Sequence, residues 1–362
     1  MSSLFTPLKI KGITFKNRIG VGPMCQYSAV DGVANHWHLV HLGARAVGGA
    51  GLIISEATAV RPEGRISNQC LGIWNDEQVE ALIPITRFLE EQGAVPGIQI
   101  AHAGRKGSAA RPWEGGEQIK NSEGGYDVIG PCDTPFDDSG TRLWKTPKMM
   151  STDDIAELQD AFVAAAERAL AAGYKLLEIH AAHGYLLHSF FTPLVNKRTD
   201  EYGGSIENRA RMLLETTAKV RRVWPENLPL AVRISISDWD EAGLGVEDNI
   251  QMAKWLKEQG VDIVDCSAGG ATPSARASIG SRISEQVGLC AKLKREAGIM
   301  TMAVGEITDP AQAEKIIAEG GADITLLARQ MLRDPFWPLH AAQALGVETK
   351  TVTPIQNSFF VK

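Results

Sequence analysis

The segment His-Ala-Ala-His-Gly-Tyr places His180, His183 and Tyr185 close together in the chain. It directly follows an apolar run, residues 174–179, that is typical of a buried β-strand. Imidazole N–H groups at a strand end can hold a substrate oxygen on which negative charge develops, and a phenol can donate a proton beside it. The spacing therefore predicts a site for oxygen polarisation and proton delivery rather than for packing alone.

Eight short apolar segments alternate with eight amphipathic stretches along the chain, and each pair is a candidate β/α unit. The predicted strands span residues 18–21, 51–56, 95–100, 175–180, 230–234, 263–267, 300–304 and 324–328. The predicted helices span residues 39–48, 76–92, 152–172, 206–223, 246–259, 283–296, 309–319 and 335–345. Apolar strands joined by helices indicate a buried parallel sheet. Eight units predict an α/β fold, a single-domain (β/α)8 TIM barrel over residues 1–362.

Three segments lie outside the repeating units. An N-terminal hairpin is expected before the first barrel strand. Residues 103–150, after the third strand, lack a clear period and predict a long capping loop over the barrel mouth, with an insertion of no function as the alternative. Residues 347–362 are expected to form a tail, whose Phe359 and Phe360 either contact another subunit or simply fray.

Bulk composition excludes several classes of protein. The net charge of −6 argues against nucleic-acid binding, and no apolar run of about 18 residues is present to span a membrane. The N-terminus lacks the apolar core of a secretory signal. The five cysteines are scattered, which is simplest to interpret as reduced thiols in a cytoplasmic protein.

Chemistry in a (β/α)8 barrel takes place at the C-terminal ends of the strands, and this rule selects candidate residues. The candidates after the first five strands are Pro23, Met24, Cys25, Gln26, Tyr27, Ala57, Thr58, Gln99, His102, Arg105, His180, His183, Tyr185 and Arg233. Val304, Gly305, Ala328 and Arg329 follow strands seven and eight, where such barrels bind phosphate. A glycine lets backbone amides approach a phosphate and Arg329 adds charge; the alternative is that Arg329 caps the barrel against Asp334.

Other catalytic classes lack their signature residues. No paired carboxylates lie among the strand-end candidates, which argues against a glycosidase. Neither a Gly-x-Ser-x-Gly elbow nor a Gly-x-Gly-x-x-Gly fingerprint occurs. His36, His38 and His41 form a cluster, but no acid is suitably placed beside it or beside the pair at 180 and 183, so no metal site is expected. His38 and His41 are instead expected in the first turn of a helix.

Several motifs, in order along nearly the whole chain, resemble the Old Yellow Enzyme family of FMN-dependent ene-reductases. The motifs occupy residues 17–19, 23–27, 97–106, 180–186, 196–209 and 329–335. The string Asn-Lys-Arg-Thr-Asp-Glu-Tyr-Gly-Gly-Ser-Ile-Glu-Asn-Arg at 196–209 is the most specific of them. The chain looks closest to the bacterial subgroup typified by YqjM and xenobiotic reductase A.

The resemblance implies roles for individual residues around non-covalently bound FMN. It implies isoalloxazine contacts from Pro23, Met24, Ala57, Gln99 and Arg233, and phosphate contacts from Gly305 and Arg329. It further implies that His180 and His183 bind the substrate oxygen, that Tyr185 donates the proton, and that Tyr27 orients the substrate. Cys25 would lie near the flavin, where we expect it to tune redox potential and substrate binding, because no base that would make it a nucleophile is evident nearby.

The implied reaction has two halves. NADPH or NADH first reduces FMN, and the reduced flavin then passes hydride to an electron-poor alkene, such as an enone, enal, maleimide or nitroalkene. Two alternatives are a related flavin reductase of the dienoyl-CoA or nitro-compound type and a non-catalytic flavin-binding sensor. The resemblance suggests a homodimer or homotetramer. In related enzymes an arginine at the C-terminus often reaches the active site of a neighbouring subunit, but in this chain no arginine follows Arg333.

Overall fold

The computed structural model describes residues 2–274 and 282–348. The strands, in chain order, are β1 (Leu8–Ile10), β2 (Ile13–Phe15), β3 (Ile19–Val21), β4 (Leu52–Ala59), β5 (Val95–Ala101), β6 (Ile129–Gly130), β7 (Lys148–Met149), β8 (Leu176–Ala181), β9 (Leu230–Ser235), β10 (Ile263–Ser267), β11 (Met300–Ala303) and β12 (Ile324–Leu327). The helices are α1 (His36–Val47), α2 (Asp76–Glu91), α3 (Thr152–Ala171), α4 (Leu186–Phe191), α5 (Ile206–Val223), α6 (Val246–Glu258), α7 (Glu285–Ala297), α8 (Pro310–Ala318), α9 (Arg329–Arg333) and α10 (Trp337–Ala344).

Eight parallel strands close into a barrel in the order β3-β4-β5-β8-β9-β10-β11-β12, and β12 pairs with β3. All eight predicted strands are present, so the TIM-barrel prediction is confirmed. Apolar side chains on both faces explain the arrangement, since parallel strands are buried between the interior of the barrel and the outer helices. Of the described helices, none is long and apolar enough to cross a membrane.

The predicted N-terminal hairpin is present as the antiparallel pair β1–β2. Its Leu8, Ile10 and Phe15 belong to one buried cluster with residues from the starts of the barrel strands, such as Leu176 and Ile263. The hairpin therefore closes the N-terminal end of the barrel, and a ligand has to enter at the opposite end.

The capping segment after β5 has more regular structure than the sequence indicated. It contains three short 3-10 helices, at Gly104–Lys106, Pro112–Glu114 and Asn121–Glu123, and the parallel pair β6–β7. Arg105 is buried and donates from Nη1 to the carbonyl oxygen of Pro135 at 2.7 Å and from Nη2 to that of Ala271. These bonds hold the segment against the barrel mouth, which gives Arg105 a structural role.

Helix boundaries differ from the predictions where caps and short helices were missed. Helix α1 begins at His36 rather than at residue 39, because the side chain of Asn35 accepts from Trp37 N at 3.0 Å and starts the helix. His38 lies in the first turn as predicted, whereas His41 lies in the second. Helices α4 and α9 were not predicted, and α7 and α10 each begin two residues later than expected. The tail from residue 349 onward lies outside the described residues.

Candidate active site

The loop after β8 turns sharply into α4 and presents the His-Ala-Ala-His-Gly-Tyr residues at the C-terminal end of the barrel. His183 and Gly184 have positive φ angles of 61° and 73°. A Cβ atom at Gly184 would lie 2.2 Å from the carbonyl oxygen of Gly270, so only glycine fits here. Non-glycine residues in this conformation are uncommon and often occur at functional sites. Tyr185 then occupies the N-cap position of α4.

The two imidazoles meet edge to face, with ring centroids of His180 and His183 5.3 Å apart. Burial lowers the pKa of both rings well below the usual range, and the nearby Arg233 guanidinium lowers the pKa further. Both rings are therefore neutral around pH 7. His180 Nδ1 accepts from Ala182 N at 3.3 Å, while His183 Nε2 lies 2.7 Å from Ser267 Oγ. Neutral histidines each offer one ring N–H, so the pair is an uncharged set of donors.

Two tyrosines flank the histidines. The Tyr185 ring lies edge to face with His180 at 5.1 Å, and the Lys106 ammonium lies 4.9 Å from the centroid of the Tyr185 ring. Tyr27, after β3, has a positive φ of 51° and contacts Trp113 of the capping segment at 5.6 Å. Burial raises the pKa of the Tyr27 phenol, and the nearby Cys25 and Tyr185 raise it further, so Tyr27 stays protonated. The sequence did not identify Lys106 as a functional candidate.

A cavity of about 440 Å³ extends from His183 across the ends of β9 to β12. It brings together His183, Arg233, Ser267, Val304, Gly305, Ala328 and Arg329. The predicted ring-contact residues of β3 to β5 lie elsewhere on the mouth. Pro23 and Met24 are half-buried after β3, and the buried Ala57 and Gln99 pair in register between β4 and β5.

The outer end of the cavity combines a glycine at positive φ with an exposed cation. Gly305 has a φ of 138°, and a Cβ atom there would lie 2.7 Å from the carbonyl oxygen of Ile283. Arg329 is largely exposed and forms a long ion pair with Glu306 at 3.9 Å. Asp334 instead contacts Phe336 N and His340. The alternative in which Arg329 caps the barrel against Asp334 is therefore wrong.

A pair of buried carboxyl groups lies beneath Arg233, and the sequence prediction missed it. Glu178 and Asp265 are fully buried inside the barrel, on β8 and β10. Gln99 Nε2 donates to Glu178 Oε1 at 2.7 Å, and Arg233 Nε lies 3.2 Å from Asp265 Oδ2. Burial raises the pKa of Glu178 well above its usual value, and the neighbouring Asp265 raises it further, so Glu178 keeps its proton. Charged residues within a buried parallel strand were the signal in the sequence.

A second cluster of ionisable groups surrounds Cys25. The sulfur atoms of Cys25 and Cys70 and a carboxylate oxygen of Glu56 all lie within 4.8 Å of one another. Glu56 Oε1 is also 3.4 Å from His38 Nε2. The expectation that no acid lies near the 36–41 histidines is therefore wrong, and Cys25, beside which the local sequence shows no base, has a carboxylate near it in the fold. Glu56 and Cys70 are distant from Cys25 in sequence and come close to it only through the fold.

The sequence matches the family model described as NADH:flavin oxidoreductase / NADH oxidase family over residues 3–348. The NADPH dehydrogenase of Bacillus licheniformis is 46% identical over 355 residues, which cover 98% of this chain and 97% of the relative. That of Bacillus subtilis is 46% identical over 347 residues, 95% of this chain and 96% of the relative. The chain belongs to this family.

Solved structures agree with this assignment. Morphinone reductase is 25% identical, with a TM-score of 0.76 over 98% of this chain and 92% of its own. The old yellow enzyme homologue from Zymomonas mobilis is 26% identical, with a TM-score of 0.77 over 99% and 97% of the two chains. A 2-naphthoyl-CoA reductase gives a TM-score of 0.84 at 26% identity, but this chain spans only about half of it, 52%. The Old Yellow Enzyme resemblance is thus confirmed.

As a member of this family, the protein is an FMN-dependent NADPH oxidoreductase. The residues present fit FMN, an elongated anion with a ring system at one end and a phosphate at the other. Arg233 lies at the inner end of the cavity, where its Nε faces Asp265 at 3.2 Å and its guanidinium lines the cavity wall. At the outer end, the backbone of Gly305 and the side chain of Arg329 line the cavity together, and a cation beside a glycine backbone suits a phosphate.

Proposed function

We propose that this family member reduces activated carbon–carbon double bonds, as in enones, enals, maleimides and nitroalkenes. When bound, FMN supplies the hydride, which it has taken from NAD(P)H. One observation carries the proposal: two neutral imidazoles 5.3 Å apart lie beside a tyrosine 5.1 Å from the nearer ring. Such a set polarises an oxygen and donates a proton, which are the two tasks that the protein must perform in an alkene reduction.

His180 and His183 are proposed to hold the carbonyl or nitro oxygen of the substrate. Because Ala182 N donates to Nδ1 of His180, the ring proton lies on Nε2 and can be donated to the substrate. If Ser267 Oγ donates to Nε2 of His183, the proton of that ring lies on Nδ1. Donors aimed at the oxygen where negative charge grows each contribute on the order of 10²–10³ in rate.

Tyr185 is proposed to give its phenolic proton to the α-carbon of the substrate. Loss of that proton leaves a negative charge, which the Lys106 ammonium, 4.9 Å from the ring centroid, would stabilise. Lys106 is itself held by the carbonyl oxygens of His183 and Gly270, at 2.6 and 3.1 Å. Tyr27 is proposed to orient the substrate as a second, protonated phenol.

The contacts proposed for FMN follow the two ends of the cavity. Arg233 would place its charge beside N1 of the ring and favour the anionic reduced flavin. The proposed ring contacts are Pro23, Met24, Cys25, Ala57 and Gln99. The proposed phosphate contacts are Val304, Gly305, Ala328 and Arg329. Glu306 lies close enough to Arg329 to compete with a phosphate, so we expect their ion pair to open when FMN binds.

An anaerobic two-step mixing experiment tests the proposal. FMN-loaded protein is mixed first with NADPH and then with 2-cyclohexenone or maleimide, and flavin absorbance is followed. Bleaching in the first step and recovery of the oxidised spectrum in the second, with saturated product formed, are expected. Bleaching that no activated alkene reverses would refute alkene reduction and leave only the NADPH oxidoreductase activity.

A further inference from the structure

We propose that Cys25, Cys70 and Glu56 form a binding site for a thiophilic divalent cation, with Zn²⁺ or Cd²⁺ as the chemical class. The inference goes beyond alkene reduction and does not depend on it. Its basis is the arrangement of the three ligand atoms, two sulfurs and one carboxylate oxygen, which all lie within 4.8 Å of one another.

The donor set matches what such cations prefer. Zinc is bound by thiolate at about 2.3 Å and by carboxylate at about 2.0–2.2 Å, with four ligands in a tetrahedron. Ligand atoms around one ion are thus somewhat closer together than the observed limit of 4.8 Å, and small side-chain rotations would close the site. Sulfur ligands also disfavour Mg²⁺ and Ca²⁺, which select oxygen. Three protein ligands leave the fourth position for water or another small ligand.

An unpartnered buried atom provides the second observation. The side chain of Glu56 is 1% exposed, and its Oε1 has no hydrogen-bond donor in the described structure. The nearest donor, His38 Nε2, is 3.4 Å away, so Oε1 has only one long and weak contact. A buried carboxylate oxygen left in this state is costly, and a cation would compensate for it.

The surroundings of Glu56 resemble the supporting contacts of known metal ligands. Its Oε2 accepts from Gln26 N at 3.1 Å, which fixes the carboxylate beside Cys25. Asn35 N donates to Nδ1 of His38 at 3.1 Å, so the ring proton of His38 lies on Nε2 and points toward Glu56. A histidine N–H directed at a metal-binding carboxylate orients it, and loss of such contacts typically costs about 10–100-fold in metal affinity.

A cation can reach the site without unfolding of the barrel. Cys25 is partly exposed at the mouth, whereas Cys70 and Glu56 are buried behind it. The neighbouring Ser67 donates its backbone N–H to Cys70 Sγ at 3.3 Å, an interaction that also suits a thiolate. Cys266 and Cys290 are the matched control pair of cysteines. Both are fully buried, and in the described part of the chain neither belongs to a group of residues that could hold a metal ion.

The test measures cation uptake by the FMN-loaded protein in the presence of a non-thiol reductant. Protein is equilibrated with CdCl₂ or ZnCl₂, passed through a desalting column, and assayed for metal and FMN per chain; affinity is measured by calorimetric titration. We expect one cation per chain in the unsubstituted protein and in Cys290→Ala. Cys70→Ser and Cys25→Ser should lose this uptake, and Glu56→Gln should bind at least about tenfold more weakly.

Two results would overturn the site. One is no stoichiometric uptake by the unsubstituted protein, and the other is uptake by Cys70→Ser and Cys25→Ser equal to that of the unsubstituted protein. Circular dichroism and the FMN content show whether each variant is folded. If Cys70→Ser does not fold, Cys25→Ser still decides the question, because its side chain is at the partly exposed mouth. The rate at which Ellman's reagent modifies Cys25 gives an independent readout, since a bound cation should slow it and a chelator should restore it.

Discussion

The buried carboxyl pair beneath Arg233 allows a prediction in which two nearly isosteric substitutions have very different effects. Asp265→Asn removes the only carboxylate that the described residues place as an ion-pair partner of Arg233, at 3.2 Å. Removing one partner of a buried pair leaves the other charge uncompensated and costs about 3–5 kcal/mol. Arg233 is 8% exposed, so solvent offers little compensation, and we expect a loss of unfolding free energy within that range.

Glu178→Gln should be almost neutral at about pH 4.5 and below, where the acid of the unsubstituted protein is protonated in both the folded and the unfolded chain, and it should become stabilising as pH rises. Glutamine replaces a protonated glutamic acid with another neutral group of the same shape. Its carbonyl oxygen can keep the 2.7 Å bond from Gln99 Nε2, and its amide can donate to Asp265 as the acid proton did. The change therefore alters at most one net hydrogen bond, which is worth about 0.5–1.5 kcal/mol.

We also expect the stability difference between the unsubstituted protein and Glu178→Gln to depend on pH with a definite sign. The folded-state pKa of Glu178 lies well above its usual value of 4.5. Between pH 4.5 and the folded-state pKa, the folded protein keeps the proton and the unfolded chain loses it. The contribution of this group to stability is full below pH 4.5 and is lost as pH rises toward the folded-state pKa. Relative to Glu178→Gln, the unsubstituted protein should lose up to about 1.4 kcal/mol per pH unit.

Equilibrium urea unfolding, followed by circular dichroism between pH 5 and pH 8, measures all three effects. The reasoning would be refuted if Glu178→Gln destabilised the protein as much as Asp265→Asn does. It would be refuted equally if the stability curves of the unsubstituted protein and Glu178→Gln ran parallel across this pH range, because Glu178 would then be ionised in the folded state.

Three further predictions concern the proposed FMN and substrate contacts. Tyr185→Phe should leave flavin reduction by NADPH unchanged and slow reoxidation by 2-cyclohexenone by on the order of 10²–10⁴, as stopped-flow absorbance would show; equal rates would remove Tyr185 as the donor. Cys25→Ser should retain turnover but shift the flavin midpoint potential, and complete loss of turnover with FMN still bound would contradict a tuning role. Gly305→Ala should weaken FMN binding at least tenfold in a fluorescence titration, because its Cβ would lie 2.7 Å from Ile283 O, whereas Gly288→Ala, with open space around it, should not.

The barrel and the central site residues were predictable from the sequence because their signals are local. Each strand is a short apolar run, and the rule that barrel chemistry lies at strand ends selected His180, His183 and Tyr185 directly. The structure brings these three together as expected. The assignment to an FMN-binding family rested on extended motifs, and the comparisons confirm it.

Residues that act through long-range contacts could not be identified in the same way. Cys70 lies in a loop after β4, and only the fold brings it to Cys25. Glu178 and Asp265 did leave a signal, since each interrupts an otherwise apolar strand, but the strand pattern alone does not show that they meet beneath Arg233. The capping segment was mistaken for a structureless loop because its short helices and strands lack the length that periodicity requires.

The proton on Glu178 sets the net charge at the inner end of the cavity, and that charge determines whether an anion is bound favourably there. With Glu178 protonated, Asp265 and Arg233 form a neutral pair; if Glu178 were ionised, the three groups would carry a net negative charge and oppose an anionic ligand. Asp265→Asn removes the remaining negative charge and leaves the full charge of Arg233. If the reduced flavin lies against Arg233 as proposed, this variant should have a higher midpoint potential despite its weaker fold, because the cation stabilises the anionic reduced form. Dye-equilibration potentiometry measures the shift, and an unchanged or lower potential would mean that Arg233 does not act on the flavin.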